Sequence, residues 1–130
     1  MPELRTYIVE DSPVIRENLV AALEEMTPVR VIGTAEDERT ARAWLERSAD
    51  DCDLVIIDIF LRQGSGLGLL QALGDARPWP KRVVLSNFAT PDMRRKCLSL
   101  GADSVFDKSN EIDALMGYCT RLAEENAGAA

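Results

Sequence analysis

The alternation of apolar runs and helical stripes divides the chain into five strand and helix units. Leu4 to Val9 is a short, mostly apolar run closed by the acidic pair Glu10-Asp11. Ser12 and Pro13 then supply a cap and a first-turn proline, and Ile15, Leu19, Ala22, Leu23 and Met26 recur at helical spacing as a stripe facing a sheet. Pro28 ends that helix, and Val29 to Ala35 forms a second strand. The second helix covers Glu38 to Ala49, with Ala41, Trp44 and Leu45 turned inward. Leu54-Val55-Ile56-Ile57 is an unbroken run of branched apolar residues, as a central strand covered on both faces requires, and it stops abruptly at the carboxylate of Asp58. A loop with Gly64, Gly66 and Gly68 leads into a helix from Leu67 to Ala76, broken by Pro78 and Pro80. Arg82 to Leu85 makes a fourth strand closing on Ser86-Asn87, and Thr90-Pro91-Asp92 opens a fourth helix. The inner stripe of that helix is Met93, Cys97 and Leu100, and Gly101 ends it. Ser104 to Phe106 is a fifth strand, followed by Asp107-Lys108. Ser109 or Asn110 caps a final helix whose inner face is Ile112, Leu115, Cys119 and Leu122.

Alternating units of this kind imply a parallel sheet with helices on both sides. The right-handed crossover rule then favours a three-layer, doubly wound α/β fold with strand order 2-1-3-4-5, flavodoxin-like in topology. A chain of 130 residues makes one domain, expected over residues 1–126. Residues 127–130 are expected to fray, leaving no room for an output domain.

Composition narrows the chemistry. The net charge of -7 argues against general affinity for nucleic acid, which rests on neutralising phosphates; Arg94-Arg95-Lys96 is the local exception. No apolar run approaches the ~20 residues of a membrane span, and Met1 to Thr6 lacks the features of a signal peptide. Cys52, Cys97 and Cys119 are scattered and suggest neither a disulfide framework nor a zinc site, so a reducing cytoplasm is expected. The absence of histidine removes imidazole ligands and the commonest general base.

Ligands of open α/β sheets sit beyond the carboxyl ends of the strands. Glu10, Asp11, Asp58, Ser86 and Lys108 all fall at such ends. Clustered carboxylates repel one another, and a hard divalent cation held by oxygen ligands, Mg²⁺ or Mn²⁺, resolves that conflict. Lys108 adds a compact positive charge suited to a phosphate oxygen, and Ser86 a hydroxyl donor. Taken singly, Asp58 could cap a turn, Ser86 could satisfy backbone and Lys108 could be a solvated lysine; the set and its order point to chemistry.

With these residues in this order, the chain resembles the CheY-like receiver domain of bacterial two-component response regulators, from the acidic pair through the last helix. The resemblance implies that Asp58 is a phosphoacceptor taking a phosphoryl group from a histidine kinase or phosphotransfer protein. It implies that Glu10, Asp11, Asp58 and the backbone carbonyl of Phe60 hold the metal, and that Ser86 and Lys108 contact the phosphoryl group. The phosphorylated form then changes its binding to a downstream protein, so catalysis is confined to the domain's own phosphorylation and slow dephosphorylation. Val14, beside the site, and Arg94, Arg95 and Lys96 on the fourth helix are the implied partner surfaces, and a homodimer is possible. Four positions depart from the family's pattern. Val105 stands where an aromatic switch residue is usual, and strand alternation sends Phe106 to the other face. Ser109 replaces the usual proline after the lysine, where a cis peptide would cost ~3 kcal/mol. Arg62 replaces a proline of the acceptor loop. Asn87 is larger than the usual residue and narrows access to Asp58. Phe60 and Phe88 hold positions that influence water attack, and neither can orient a water. Three other readings compete. A pseudo-receiver lacks phosphorylation, but every acidic position is filled. An aspartyl-phosphate phosphohydrolase wants a second acid where Phe60 stands. A flavodoxin-like electron carrier would have its FMN phosphate repelled by Glu10-Asp11.

Overall fold

Apolar runs too short for helices pair as strands, and the stripes between them cover the result. The computed structural model describes residues 3–75 and 77–128. Met1, Pro2, Ala76, Ala129 and Ala130, which fall in the expected domain, third helix and tail, lie outside them. The elements are β1 (Leu4–Val9), α1 (Pro13–Met26), β2 (Val29–Ala35), α2 (Glu38–Ser48), β3 (Leu54–Ile57), α3 (Gly66–Leu73), β4 (Lys81–Ser86), α4 (Pro91–Ser99), β5 (Ser104–Asp107) and α5 (Ile112–Gly128). All strand pairs are parallel in the order β2-β1-β3-β4-β5, as the alternation predicts.

Strand periodicity sorts the core into two layers. Tyr7, Val9, Val55, Ile57, Val84 and Val105 face α2, α3 and α4, while Leu4, Ile8, Leu54, Ile56, Val83 and Phe106 face α1 and α5. Every residue of β3 is buried. Trp44 closes the first layer by stacking on Tyr7 with ring centroids 4.0 Å apart.

Caps set the helix ends. The hydroxyl of Ser12 accepts from the Ile15 amide, that of Thr90 from the Met93 amide, and the carboxylate of Asp37 from the Thr40 amide. Several boundaries and faces differ from the sequence reading. α2 ends at Ser48, and Ala49–Asp51 forms a separate 3₁₀ turn. α3 stops at Leu73 because Gly74 takes a positive φ of 59°, a conformation that does not continue a helix. Met26 and Ile15 are exposed rather than inward; the buried residues of α1 are Leu19 and Leu23, with Val20 packed partly buried beside them. Ser109 and Asn110 lie in the turn before α5, and the residue preceding its first turn is Glu111, whose amide bonds the Asp107 carbonyl. α5 continues through Ala127 and Gly128, two positions the sequence reading assigned to a frayed tail. Among the described residues there is no cis peptide, so Lys108-Ser109 is trans. Also among them, no helix is long and apolar enough to cross a membrane.

Candidate functional site

Parallel pairing brings the ends of β1, β3, β4 and β5 to one edge of the sheet. The Asp58 amide donates to the Val9 carbonyl at 3.0 Å, and the Lys108 amide to the Ser86 carbonyl at 3.0 Å. These bonds extend the ladders past the strand ends and aim the side chains of Glu10, Asp58 and Lys108 at a common point. The Lys108 ammonium lies 2.6 Å from Glu10 Oε1 and 3.0 Å from Asp58 Oδ2. Glu10, Asp11 and Asp58 each offer a carboxylate oxygen within 4.8 Å of the others.

The electrostatics follow from burial. Glu10 is 2% exposed and pairs with the Lys108 ammonium. The Asp58 carboxyl is pushed up to about 6, chiefly by burial; Lys108 opposes the shift and Glu10 adds to it. Burial also works against the Lys108 ammonium, but Glu10 and Asp58 outweigh it and hold its pKa above the ordinary value. One ammonium therefore serves two carboxylates while a third stands beside them. An oxygen-only donor set carrying surplus negative charge fits a hard divalent cation.

The loop after Asp58 is tightly built. A Cβ on Gly66 would lie 2.2 Å from the Asp58 carbonyl oxygen, so only glycine lets α3 start there. The Asp11 carboxylate accepts from the Arg62 amide at 2.8 Å, tying the acidic pair to this loop in place of a proline. Glu38, which the sequence reading did not single out, accepts from the Ser65 amide at 2.9 Å and fills the space beside Gly68, where a Cβ would meet its Oε1 at 2.3 Å. The signal available for Glu38 was the close run of glycines, which marks an approaching side chain without saying whose it is.

On the other flank, Ser86 is fully buried and its hydroxyl accepts from the Phe88 amide at 3.0 Å. Among the described residues no acceptor for its own hydrogen is found. Phe60 and Phe88 meet edge to face at 4.8 Å across the mouth, and both are more than half exposed. Asn87 is exposed and lines, with Lys108, a groove between α1 and α5 formed by Ile15, Leu19, Leu85 and Ile112. Val14, in the first turn of α1, is 68% exposed. Val105 is buried on the α4 side, whereas Phe106 is buried on the α5 side against Tyr118. The basic cluster divides: Lys96 is exposed and Arg95 pairs with Asp92, but Arg94 is turned inward against backbone carbonyls and Glu111. Arg94 is thus not the free surface charge that its sequence neighbours suggest.

The family model described as the response regulator receiver domain matches residues 6–120. The chain belongs to the response regulator receiver family. Curated relatives include protein-glutamate methylesterase/protein-glutamine glutaminase from Azospirillum brasilense, 32% identical over 81% of this chain and 27% of that one. A second protein of that name, from Xanthomonas oryzae, is 32% identical over 94% of this chain and 34% of its own length. The receiver therefore spans about a third of these relatives. Among solved structures, a CheY-like receiver domain from Methanospirillum hungatei superposes with a TM-score of 0.77 at 25% identity, covering 97% of this chain and 98% of that one. The receiver domain of NarL from Mycobacterium tuberculosis has the same fold, with a TM-score of 0.82 at 20% identity over 95% and 98% of the two chains. The five-stranded sheet and its helices are thus those of a receiver domain.

Proposed function

We propose that this receiver works as a phosphorylation switch in two-component signalling, with Asp58 as the phosphoacceptor. The observation that carries the reading is the Lys108 ammonium held between Glu10 and Asp58, with Asp11 alongside. A carboxylate oxygen of Asp58 attacks the phosphorus of a phosphohistidine on a histidine kinase or phosphotransfer protein. The P–N bond breaks, the imidazole leaves with its electron pair, and an acyl phosphate forms. Glu10, Asp11, Asp58 and the Phe60 backbone carbonyl would hold Mg²⁺ or Mn²⁺, which supplies positive charge to the phosphoryl oxygens. Lys108 contributes a second positive charge already in place, so little reorganisation is needed as charge develops. The Ser86 hydroxyl reaches an oxygen of the attached group. Phe60 and Phe88 shield the mouth with apolar rings, which slows hydrolysis.

The apolar groove of α1 and α5 suits a docking helix of the phosphodonor because Lys108 lines it, and the exposed Val14 in the first turn of α1 adds apolar surface. Arg95 and Lys96 leave positive charge on α4 for an acidic downstream partner or a second copy. Incubation with acetyl phosphate and Mg²⁺ followed by intact mass tests the reading. One phosphoryl adduct is expected in the wild type and none in Asp58→Asn, and the absence of any adduct refutes it.

A further inference from the structure

Glu38 reaches out of α2 into the loop that follows Asp58. Its place in the helix is set by the neighbouring cap, where the Asp37 carboxylate accepts from the Thr40 amide at 2.7 Å. The Glu38 amide donates to the Gln63 carbonyl at 3.3 Å, and its carboxylate accepts from the Ser65 amide at 2.9 Å. The Ser65 hydroxyl in turn caps α3, accepting from the Gly68 amide at 2.9 Å. A Cβ on Gly64 or Gly68 would run into the Glu38 side chain, and Gly64 also takes a positive φ of 76°. Glu38 thus fills a slot that the two glycines leave open, and it grips the loop on either side of Gly64.

The same loop is tied to the acidic cluster. Phe60 bridges to Ser65, and the Gly66 amide donates to the Ile59 carbonyl at 2.8 Å, so the loop is closed on itself. One residue before Gln63, the Arg62 amide donates to Asp11 Oδ2 at 2.8 Å. Asp11 is one of the three carboxylates whose oxygens lie within 4.8 Å of one another, and Glu38 is not. The path from Glu38 to Asp11 is therefore a hydrogen bond at each end with a few residues of braced loop between. A carboxylate held by a fixed amide cannot swing to suit ions of different radius. Mg²⁺ demands near-ideal octahedral geometry at about 2.0–2.1 Å, whereas Ca²⁺ accepts flexible coordination at about 2.3–2.6 Å.

We infer that Glu38 is a positioning residue for the cation: by holding the loop at Gln63 and Ser65 it fixes the Arg62 amide, and with it the Asp11 carboxylate, so that the site takes Mg²⁺ in preference to Ca²⁺. The inference rests on the reading of Glu10, Asp11 and Asp58 as the metal site. Glu38 acts through the loop and not as a ligand.

Titration of the ¹H–¹⁵N NMR spectrum with Mg²⁺ and, separately, with Ca²⁺ tests this in wild type, Glu38→Ala and Glu38→Gln. Both variants remove the same charge, and only glutamine keeps an acceptor for the Ser65 amide. Glu38→Ala should bind Mg²⁺ about tenfold more weakly, the consequence of one lost hydrogen bond, and Ca²⁺ within about twofold of wild type. Glu38→Gln should restore Mg²⁺ binding to within about twofold of wild type. Unchanged Mg²⁺ affinity in Glu38→Ala, an equal loss for both cations, or a glutamine variant as weak as the alanine one overturns the role of Glu38 alone. A wild type that binds no Mg²⁺ overturns the metal-site reading and the inference with it.

Discussion

Asp58→Asn should stabilise the fold, by an amount that depends on pH. The carboxyl of Asp58 has its pKa raised from the ordinary 3.8 to about 6. Between those values the folded protein keeps a proton that the unfolded chain has released. Stability therefore falls as pH rises from about 4 to about 6, and stays lower above that window. A shift of this size corresponds to about 3 kcal/mol as a ceiling. The side chain is 13% exposed, and an asparagine amide presents N–H groups where Lys108 wants an acceptor, so about 2 kcal/mol is expected at pH 8. Urea denaturation of wild type and Asp58→Asn, each at pH 4 and pH 8 without divalent metal, measures this. The variant should be the more stable protein at pH 8 and nearly equal at pH 4. Millimolar Mg²⁺ should narrow the gap at pH 8, because the cation favours the wild-type set of three carboxylates. A variant no more stable than wild type at pH 8 would refute the argument that burial and Glu10 strain the Asp58 charge.

Lys108→Met leaves Glu10 and Asp58 facing each other without compensation, and should cost about 2–4 kcal/mol in urea denaturation at pH 7. The loss should shrink near pH 4 as Asp58 protonates; a pH-independent loss would point to packing instead. Gly66→Ala places a methyl 2.2 Å from the Asp58 carbonyl oxygen, so it should destabilise by about 2–4 kcal/mol where glycine to alanine in an open helix start would be neutral or favourable. Retained stability would mean that the loop can shift freely. The phosphorylated wild type should lose its phosphate slowly, and Phe60→Asn, which can orient a water, should speed the loss; a wild-type half-life of seconds in a phosphate-release assay contradicts the shielding by Phe60 and Phe88.

Much of the fold was legible because its signals are local and redundant. The unbroken run from Leu54 to Ile57 needs cover on both faces, and only a central strand has it. Strand order then follows from handedness, and strand order brings Glu10, Asp58 and Lys108 to one edge. The sequence reading missed what depends on tertiary contact. Ile15 and Met26 obey the helical period of α1, yet they fall in its first and last turns and stay exposed. Arg94 looks like its neighbours Arg95 and Lys96, and nothing local says that its side chain folds back over β5. Glu111 and Glu38 are ordinary acids in the chain, because their roles are set by amides far away in sequence or across a turn.

A lever works only against something that does not yield. Glu38 pins the loop after Asp58 to the start of α2, through the Ser65 amide and the glycines packed against its side chain. Any force generated at the aspartate meets a fixed wall on that flank. An engineer fusing a reporter to α2 or α3 would therefore attach it to the part of the protein braced directly against the loop after Asp58.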